Sequence, residues 1–254
     1  MVGIPQNLGH IWIGPLPPPV YWMQSWVNMH PGWSYELFGN EYLHGRQWRC
    51  QRHIEEYMKR GEYAGVADLM RYEILLEQGG FIAPADAMCI QNMSCLFTRP
   101  TAYTVYENEF LRGKLVAPVL ACEPRNPFVA SIIETIKQKR PEHLLEPWKS
   151  TGNMLVARLI ETMQPQITVF PSYYMNPEHY EGLVYDGPGP IYAKQMFGTT
   201  LGRYGKLGPL HYFANRRRRK YRKEALNRAY QSTERREWLF HLKEQEQSAQ
   251  IIKI

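Results

Sequence analysis

Ala67-Asp68-Leu69-Met70-Arg71-Tyr72-Glu73-Ile74-Leu75, then Gly79-Gly80-Phe81-Ile82-Ala83-Pro84-Ala85-Asp86, is the stretch whose reading decides the fold. Ala67, Met70, Ile74 and Leu75 recur at helical spacing and a glycine pair closes the run, which predicts a helix over 64–78. Phe81-Ile82-Ala83 is a short apolar run stopped by Pro84, and reads as a strand. Asp68 and Arg71 stand three apart and share a helix face. Taken alone they are an ordinary intrahelical ion pair, worth about a few tenths of a kcal/mol. Asp86 comes just past the strand. In open α/β sheets the carboxyl ends of the strands are where ligands bind. A carboxylate there can take a divalent cation through oxygen, although a lone Asp after a strand is most often a turn residue.

Outward from this unit the chain alternates strands and helices. Gly9-His10-Ile11-Trp12-Ile13-Gly14 reads as a buried strand, followed by an extended linker through Pro15, Pro17, Pro18 and Pro19. A helix at 20–29, a strand at 34–38 and a polar helix at 47–60 precede the central unit. Strands near 101–106, 115–121 and 167–170, and helices at 127–138 and 151–163, come after it. The stretch 171–209, rich in Pro, Gly and Tyr, is expected to be long loops. Gly187-Pro188-Gly189-Pro190 within it is a turn and not a phosphate loop, since it opens no helix. The pattern is that of an α/β sandwich.

The chain has 254 residues, 44% apolar and 13% aromatic, so it can bury a large core and is not a disordered polymer. No run of 18 apolar residues occurs, and the first residues do not read as a secretory signal. The four cysteines, Cys50, Cys89, Cys95 and Cys122, lack CxxC spacing and read as reduced thiols without zinc. The net charge of +6 is unevenly placed: residues 215–254 hold 12 Lys+Arg against 5 Glu, so the rest of the chain is near neutral. The reading is a body over 1–213 and a basic helical tail over 214–254. The block Arg216-Arg217-Arg218-Arg219-Lys220-Tyr221-Arg222-Lys223 needs water or an anionic partner. A solvated helix, an anionic membrane surface and nucleic acid all suit it.

The order of Ile-Trp-Ile-Gly-Pro near the start, Pro-x-Trp-x-Tyr, Ala-Asp-x-x-Arg-Tyr-x-x-Leu, then Gly-Gly-Phe with an acidic turn, resembles glycosyltransferase family 32, sugar-nucleotide enzymes with a DXD motif. That family includes initiating α-1,6-mannosyltransferases of yeast and bacterial capsule-type enzymes, and is distantly similar to glucosylating clostridial toxins. The resemblance spans about 4–200. Trp148-Lys149-Ser150-Thr151-Gly152 is similar to the family's Thr-Gly-Pro segment, and Phe170-Pro171-x-x-Tyr174-x-x-Pro177 to its later aromatic stretch. It implies a GT-A-like, Rossmann-like fold and a retaining transferase that uses a nucleotide-sugar donor, UDP-sugar favoured. Ile11 and Trp12 would line the nucleobase or ribose pocket. Asp68 and Arg71, with Tyr72, would grip the donor sugar and diphosphate. Ala85 and Asp86 would form the acidic turn, with Asp86 holding Mn²⁺ or Mg²⁺. The first acidic position of the motif is Pro84, and Gln195-Met196-Phe197-Gly198-Thr199-Thr200 stands where the family carries a late His and Ser-Trp.

This chemistry suits the residues. Cleaving a sugar–diphosphate bond builds negative charge on the leaving group, which a cation with an Arg neutralises. Front-face attack passes the acceptor proton to the leaving phosphate, so no catalytic His is required. Glu107-Asn108-Glu109, beyond a strand, reads as a contact to the acceptor or donor sugar. Tyr173, Tyr174, His179, Tyr180 and Tyr185 are aromatic candidates for stacking, Lys194 and Arg203 for phosphate, and His10 reads as structural. The expected acceptor is a glycan or lipid-linked saccharide, with the enzyme cytoplasmic and peripheral at the inner membrane face. One alternative is transfer onto a modified DNA base. The other is a non-catalytic, transferase-like scaffold with a basic arm.

Overall fold

The computed structural model describes residues 3–198. The basic tail, the 216–223 block, the 1–213 boundary, Thr199, Thr200 and Arg203 lie outside the described residues. In chain order the first elements are β1 (Asn7–Ile11), α1 (Val20–Met29), β2 (Ser34–Phe38), α2 (Asn40–His44), α3 (Gln51–Arg60), α4 (Tyr63–Gln78) and β3 (Gly80–Ile82). Then come β4 (Ala87–Cys89), β5 (Ala102–Val105), α5 (Glu109–Arg112), β6 (Ala121–Cys122) and α6 (Pro127–Lys137). The last are α7 (Pro147–Ser150), α8 (Asn153–Met163), β7 (Ile167–Phe170) and β8 (Ala193–Gln195).

Six strands form one sheet in the order β2-β1-β3-β6-β5-β7. β1 is parallel to β2 and β3, and β5 is parallel to β7. β6 runs antiparallel to both β3 and β5. Two reversals cancel, so β3 and β5 point the same way. The carboxyl ends of β1, β2, β3, β5 and β7 therefore share one edge, which is where the site forms.

The strand period of two sends alternate side chains to opposite faces. Gly9, Ile11 and Ile82 face α3, α4, α6 and α8, whose Tyr57, Leu69, Ile132 and Val156 share a core with Ile11 and Ile82. Leu8, Phe81, Tyr103 and Phe170 face the other way, onto Trp26 of α1. Trp26 is fully buried and its indole N–H donates to the Ala87 carbonyl at 2.8 Å. Burying one such side chain is worth about 1.5–3 kcal/mol.

The turn between α4 and β3 needs both glycines. Gly79 and Gly80 take φ of +65° and +91°, and a Cβ on Gly80 would stand 2.5 Å from the Asn7 carbonyl oxygen. Several boundaries differ from those read in the sequence: the strand read at 9–14 is Asn7–Ile11, and the helix read at 151–163 begins at Asn153. The expected strand at 115–121 has only Ala121–Cys122 as a strand, with a single bridge at Val116. Pro118 removes a ladder donor in its middle. The polar helix begins at Gln51, not 47, because the buried Glu73 carboxylate accepts from the N–H groups of Arg49 (2.7 Å) and Cys50 (2.8 Å) and halts the chain there. The 171–209 region also holds a strand, β8, which pairs antiparallel with β4 through Ala87↔Gln195 and Cys89↔Ala193.

Candidate active site

α4 runs back across the sheet, so its first turns sit beside the point where β3 ends. Arg71 donates from Nη1 to the Ile82 carbonyl at 2.6 Å, tying the helix to that exit. Its Nε is buried and has no hydrogen-bond partner. Burial lowers the Arg71 pKa, while Asp68, Tyr72 and Asp86 act to hold the charge. Both carboxylates are thus near enough to act on one guanidinium, yet Asp68 and Arg71 do not form the contact ion pair that their spacing suggests. Asp68 Oδ2 accepts instead from the Thr151 hydroxyl at 3.0 Å. Gly152 permits this approach, since a Cβ there would lie 3.0 Å from Asp68 Oδ2. Burial pushes the Asp68 carboxyl up to about 7, against the opposing pull of Arg71 and the Thr151 bond. Asp68, Arg71, Pro84, Ala85 and Asp86 all keep partial solvent exposure at this edge of the sheet.

Asp86 is held by the β4–β8 ribbon. Its Oδ1 accepts from the Gln195 amide at 2.6 Å and its Oδ2 from the Gly198 N–H at 3.3 Å, and its backbone oxygen takes the Met196 N–H at 2.8 Å. Gln195, noted in the sequence only as a departure from the family, is thus the neighbour of the predicted metal ligand. The sequence carried no signal for this pairing, because it depends on two three-residue strands.

The other expected residues separate into two groups. Trp12 is half-exposed at the carboxyl end of β1, its indole N–H bonded to the Leu16 carbonyl at 2.7 Å. Ile11, by contrast, is packed in the core. Tyr72 is fully buried and its hydroxyl donates to the Thr151 carbonyl at 2.6 Å. The Asn108 side chain caps α5 by accepting from Leu111 N–H at 2.8 Å. These three side chains, expected at the donor, are engaged inside the protein. Glu107 follows β5 on the same edge, and Asn153 Nδ2 donates to its Oε2 at 3.3 Å. Thr151, Gly152 and Asn153 therefore connect Asp68 to Glu107.

His10 is fully buried below the cleft. Burial first, and the Arg71 charge second, lower its pKa to about 3. It is a neutral structural ring, hydrogen-bonding distance (3.3 Å) from the Tyr35 hydroxyl. All four cysteines are free thiols. Among the described residues no group of three His, Cys, Asp or Glu side chains could enclose a metal ion, and no helix is long and apolar enough to cross a membrane. Two cavities lie elsewhere. One of about 220 Å³ is lined by Asn7, Ser34 and Gln78, and one of about 480 Å³ by Arg49, Arg52, Lys137, Lys139 and Arg140.

No family model matches the sequence, and no curated protein does. Among solved structures the chain is similar to one described as PaToxG Glycosyltransferase, with a TM-score of 0.51 and 13% identity over 63% of this chain and 70% of that one. At that identity the likeness is one of fold. The chain has a glycosyltransferase-like α/β fold, and its acid–guanidinium cluster stands on the edge where such a sheet binds ligands.

Proposed function

We propose that the protein is a retaining glycosyltransferase that takes a sugar from a nucleotide-sugar donor, UDP-sugar favoured, and passes it to a hydroxyl on a glycan or lipid-linked saccharide. The observation that carries this reading is the buried, unpartnered Arg71 Nε, on a guanidinium that feels the charges of Asp68 and Asp86 at the ligand-binding edge. A guanidinium held this way is a seat for an anion that the chain itself does not supply. A diphosphate would complete its hydrogen bonds and relieve the cost of burying it. Asp68, oriented by Thr151, would take donor-sugar hydroxyls. Trp12 would support the nucleobase or ribose, and Ala85 would let the diphosphate approach the turn.

The donor set beside Asp86 suits a divalent cation that arrives with a diphosphate. The Asp86 carboxylate would hold it in place of the Gln195 amide N–H that it now accepts from, with most oxygens supplied by substrate phosphates. Such an ion supplies neutralisation of charge on the departing diphosphate. Arg71 does the same from the protein side without reorganisation. The acceptor proton goes to the leaving phosphate oxygen, and His10, neutral and sealed away, takes no part.

The test is donor hydrolysis across UDP-, GDP- and CMP-sugars, with Mn²⁺, with Mg²⁺ and with chelator. Arg71→Lys should cut turnover about 10²-fold or more at unchanged circular dichroism. Asp86→Asn should abolish stimulation by Mn²⁺. Unaltered donor turnover in both variants would end the proposal, and donor binding with no turnover in the wild type would leave a non-catalytic binder.

A further inference from the structure

Beyond the donor cluster, the same edge holds a second group of polar side chains around Glu107. Asn153 Nδ2 lies 3.3 Å from its Oε2, Arg112 Nε 3.7 Å from its Oε1, and His179 Nε2 3.9 Å from its Oε1. The His179 side chain is wholly buried. Its Nδ1 accepts from the Glu181 N–H at 3.2 Å, so in the neutral ring the proton belongs on Nε2. Its 3.9 Å separation from Glu107 Oε1 is too long for a hydrogen bond, and Nε2 has no partner. Asn176 donates to the Glu107 carbonyl at 2.8 Å, and its Oδ1 is left buried and unpartnered. Glu109, bonded through Oε1 to Ser172 N–H at 2.9 Å, has its Oε2 in the same condition. Buried polar atoms are almost always satisfied. Three orphans on residues next to Glu107 mark a place where another molecule's donors and acceptors are missing.

This group belongs to the same cleft as the donor cluster. Gly198, which bonds Asp86, follows Phe197, and the Phe197 ring meets the rings of His179 (6.0 Å) and Tyr180 (5.4 Å). Phe197 takes φ of +50°, a left-handed conformation unusual for a side chain of that size. It is held there between the two clusters, as strained residues at ligand sites are. Thr151 to Asn153 makes the second bridge.

Building on the reading above, we infer that Glu107, Asn153, Asn176 and His179 form the acceptor subsite, and that its ligand is a neutral sugar. Sugar hydroxyls donate and accept at once. They match the carboxylate, amide oxygen, amide N–H and imidazole N–H gathered about Glu107. The half-exposed Tyr180 and Phe197 rings offer apolar faces for the pyranose. Charge selects against the other acceptors. Glu109 and Glu181 stand close by the group, the first two residues on from Glu107 and the second bonded to His179 through its N–H. Its two cations are engaged: Arg112 with Glu107 and Glu181, and Lys194 with Glu178. A polyphosphate such as DNA would be repelled there.

Two measurements test this. The first is titration of the full chain with neutral methyl glycosides and disaccharides, without donor, followed by NMR line shifts. Glu107→Gln and His179→Phe should each weaken binding about tenfold, the loss expected for a charge-assisted or buried hydrogen bond. Asn153→Ala, at a half-exposed site, gives the same readout if His179→Phe unfolds. The second is nucleotide-sugar affinity in the same variants, expected within twofold of wild type. Absence of glycoside binding in the wild type overturns the subsite. So does a loss confined to the nucleotide-sugar, or duplex DNA displacing the glycoside. Failure of the transferase reading gives a different pattern: glycoside binding that responds to Glu107 and His179, with no nucleotide-sugar bound at all.

Discussion

Two titratable side chains near the cleft pull the pH dependence of stability in opposite directions. Asp68 is raised from its ordinary value to about 7, so between about pH 4 and 7 the native state keeps a proton that the unfolded chain has released. Stability from this residue is complete below that window and falls as pH rises through it. His10 is lowered from 6.5 to about 3, so there the unfolded chain binds the extra proton, and stability falls as pH drops. Where the windows overlap, the slopes cancel. Melting curves between pH 4 and 8 should show this. Asp68→Asn should expose a melting temperature that rises with pH up to about 6.5. His10→Gln should expose one that falls toward pH 7. Each should amount to several degrees or more, since displacements this large correspond to about 3 kcal/mol across the window. Parallel curves for both variants would mean that neither group is displaced in the native state. The sequence placed Asp68, Arg71 and Asp86 at one edge of the sheet, because each has a position relative to a helix or strand. It did not tell what they touch. Spacing suggested an Asp68–Arg71 contact, whereas Thr151, brought from 83 residues away, takes the carboxylate.

At the scale of elements, helices and strands with strong local signals were legible to within a few residues: α1, β2, α4, α6 and β7. Each has its own period or flanking Gly and Pro. The elements that the sequence did not show, α2, β4, α5, α7 and β8, are five residues or fewer. They exist because of what they dock against, and no window of that length carries a period. The α4–β3 turn is the local feature on which the cleft depends most. Gly80→Ala places a methyl against the Asn7 carbonyl in a left-handed backbone, which should cost about 2 kcal/mol or more. The expected result is a melting temperature lower by several degrees, with donor affinity reduced in parallel because Arg71 is anchored to Ile82 two residues on. Gly61→Ala, at φ +70° with nothing within 4 Å, is the control: it carries the same backbone cost without the clash, and should fall by less.

Taken whole, the chain combines a nearly neutral body with a strongly basic final 40 residues. The acidic surroundings of Glu107 and the basic 216–223 block are chemically suited to different partners. Replacing Arg216–Arg219 with Gln should weaken retention on heparin or anionic vesicles and reduce its salt dependence, while donor hydrolysis stays as in wild type. Loss of hydrolysis in that variant would tie the basic segment to the cleft. The overall α/β architecture could be anticipated from the alternation of strands and helices. The antiparallel β6 and the β4–β8 ribbon could not, since strand order and pairing are long-range.

The bond between Gln195 and Asp86 closes a segment of 109 residues. During synthesis, the acidic turn is made less than halfway along the chain and waits for its partner until the described body is almost complete. Nascent chains that stop before residue 195 can bury much of the apolar interior but lack the side chain that fixes Asp86. The acidic turn is therefore among the last parts to be fixed in place, and incomplete products should fold in part while leaving Asp86 unanchored.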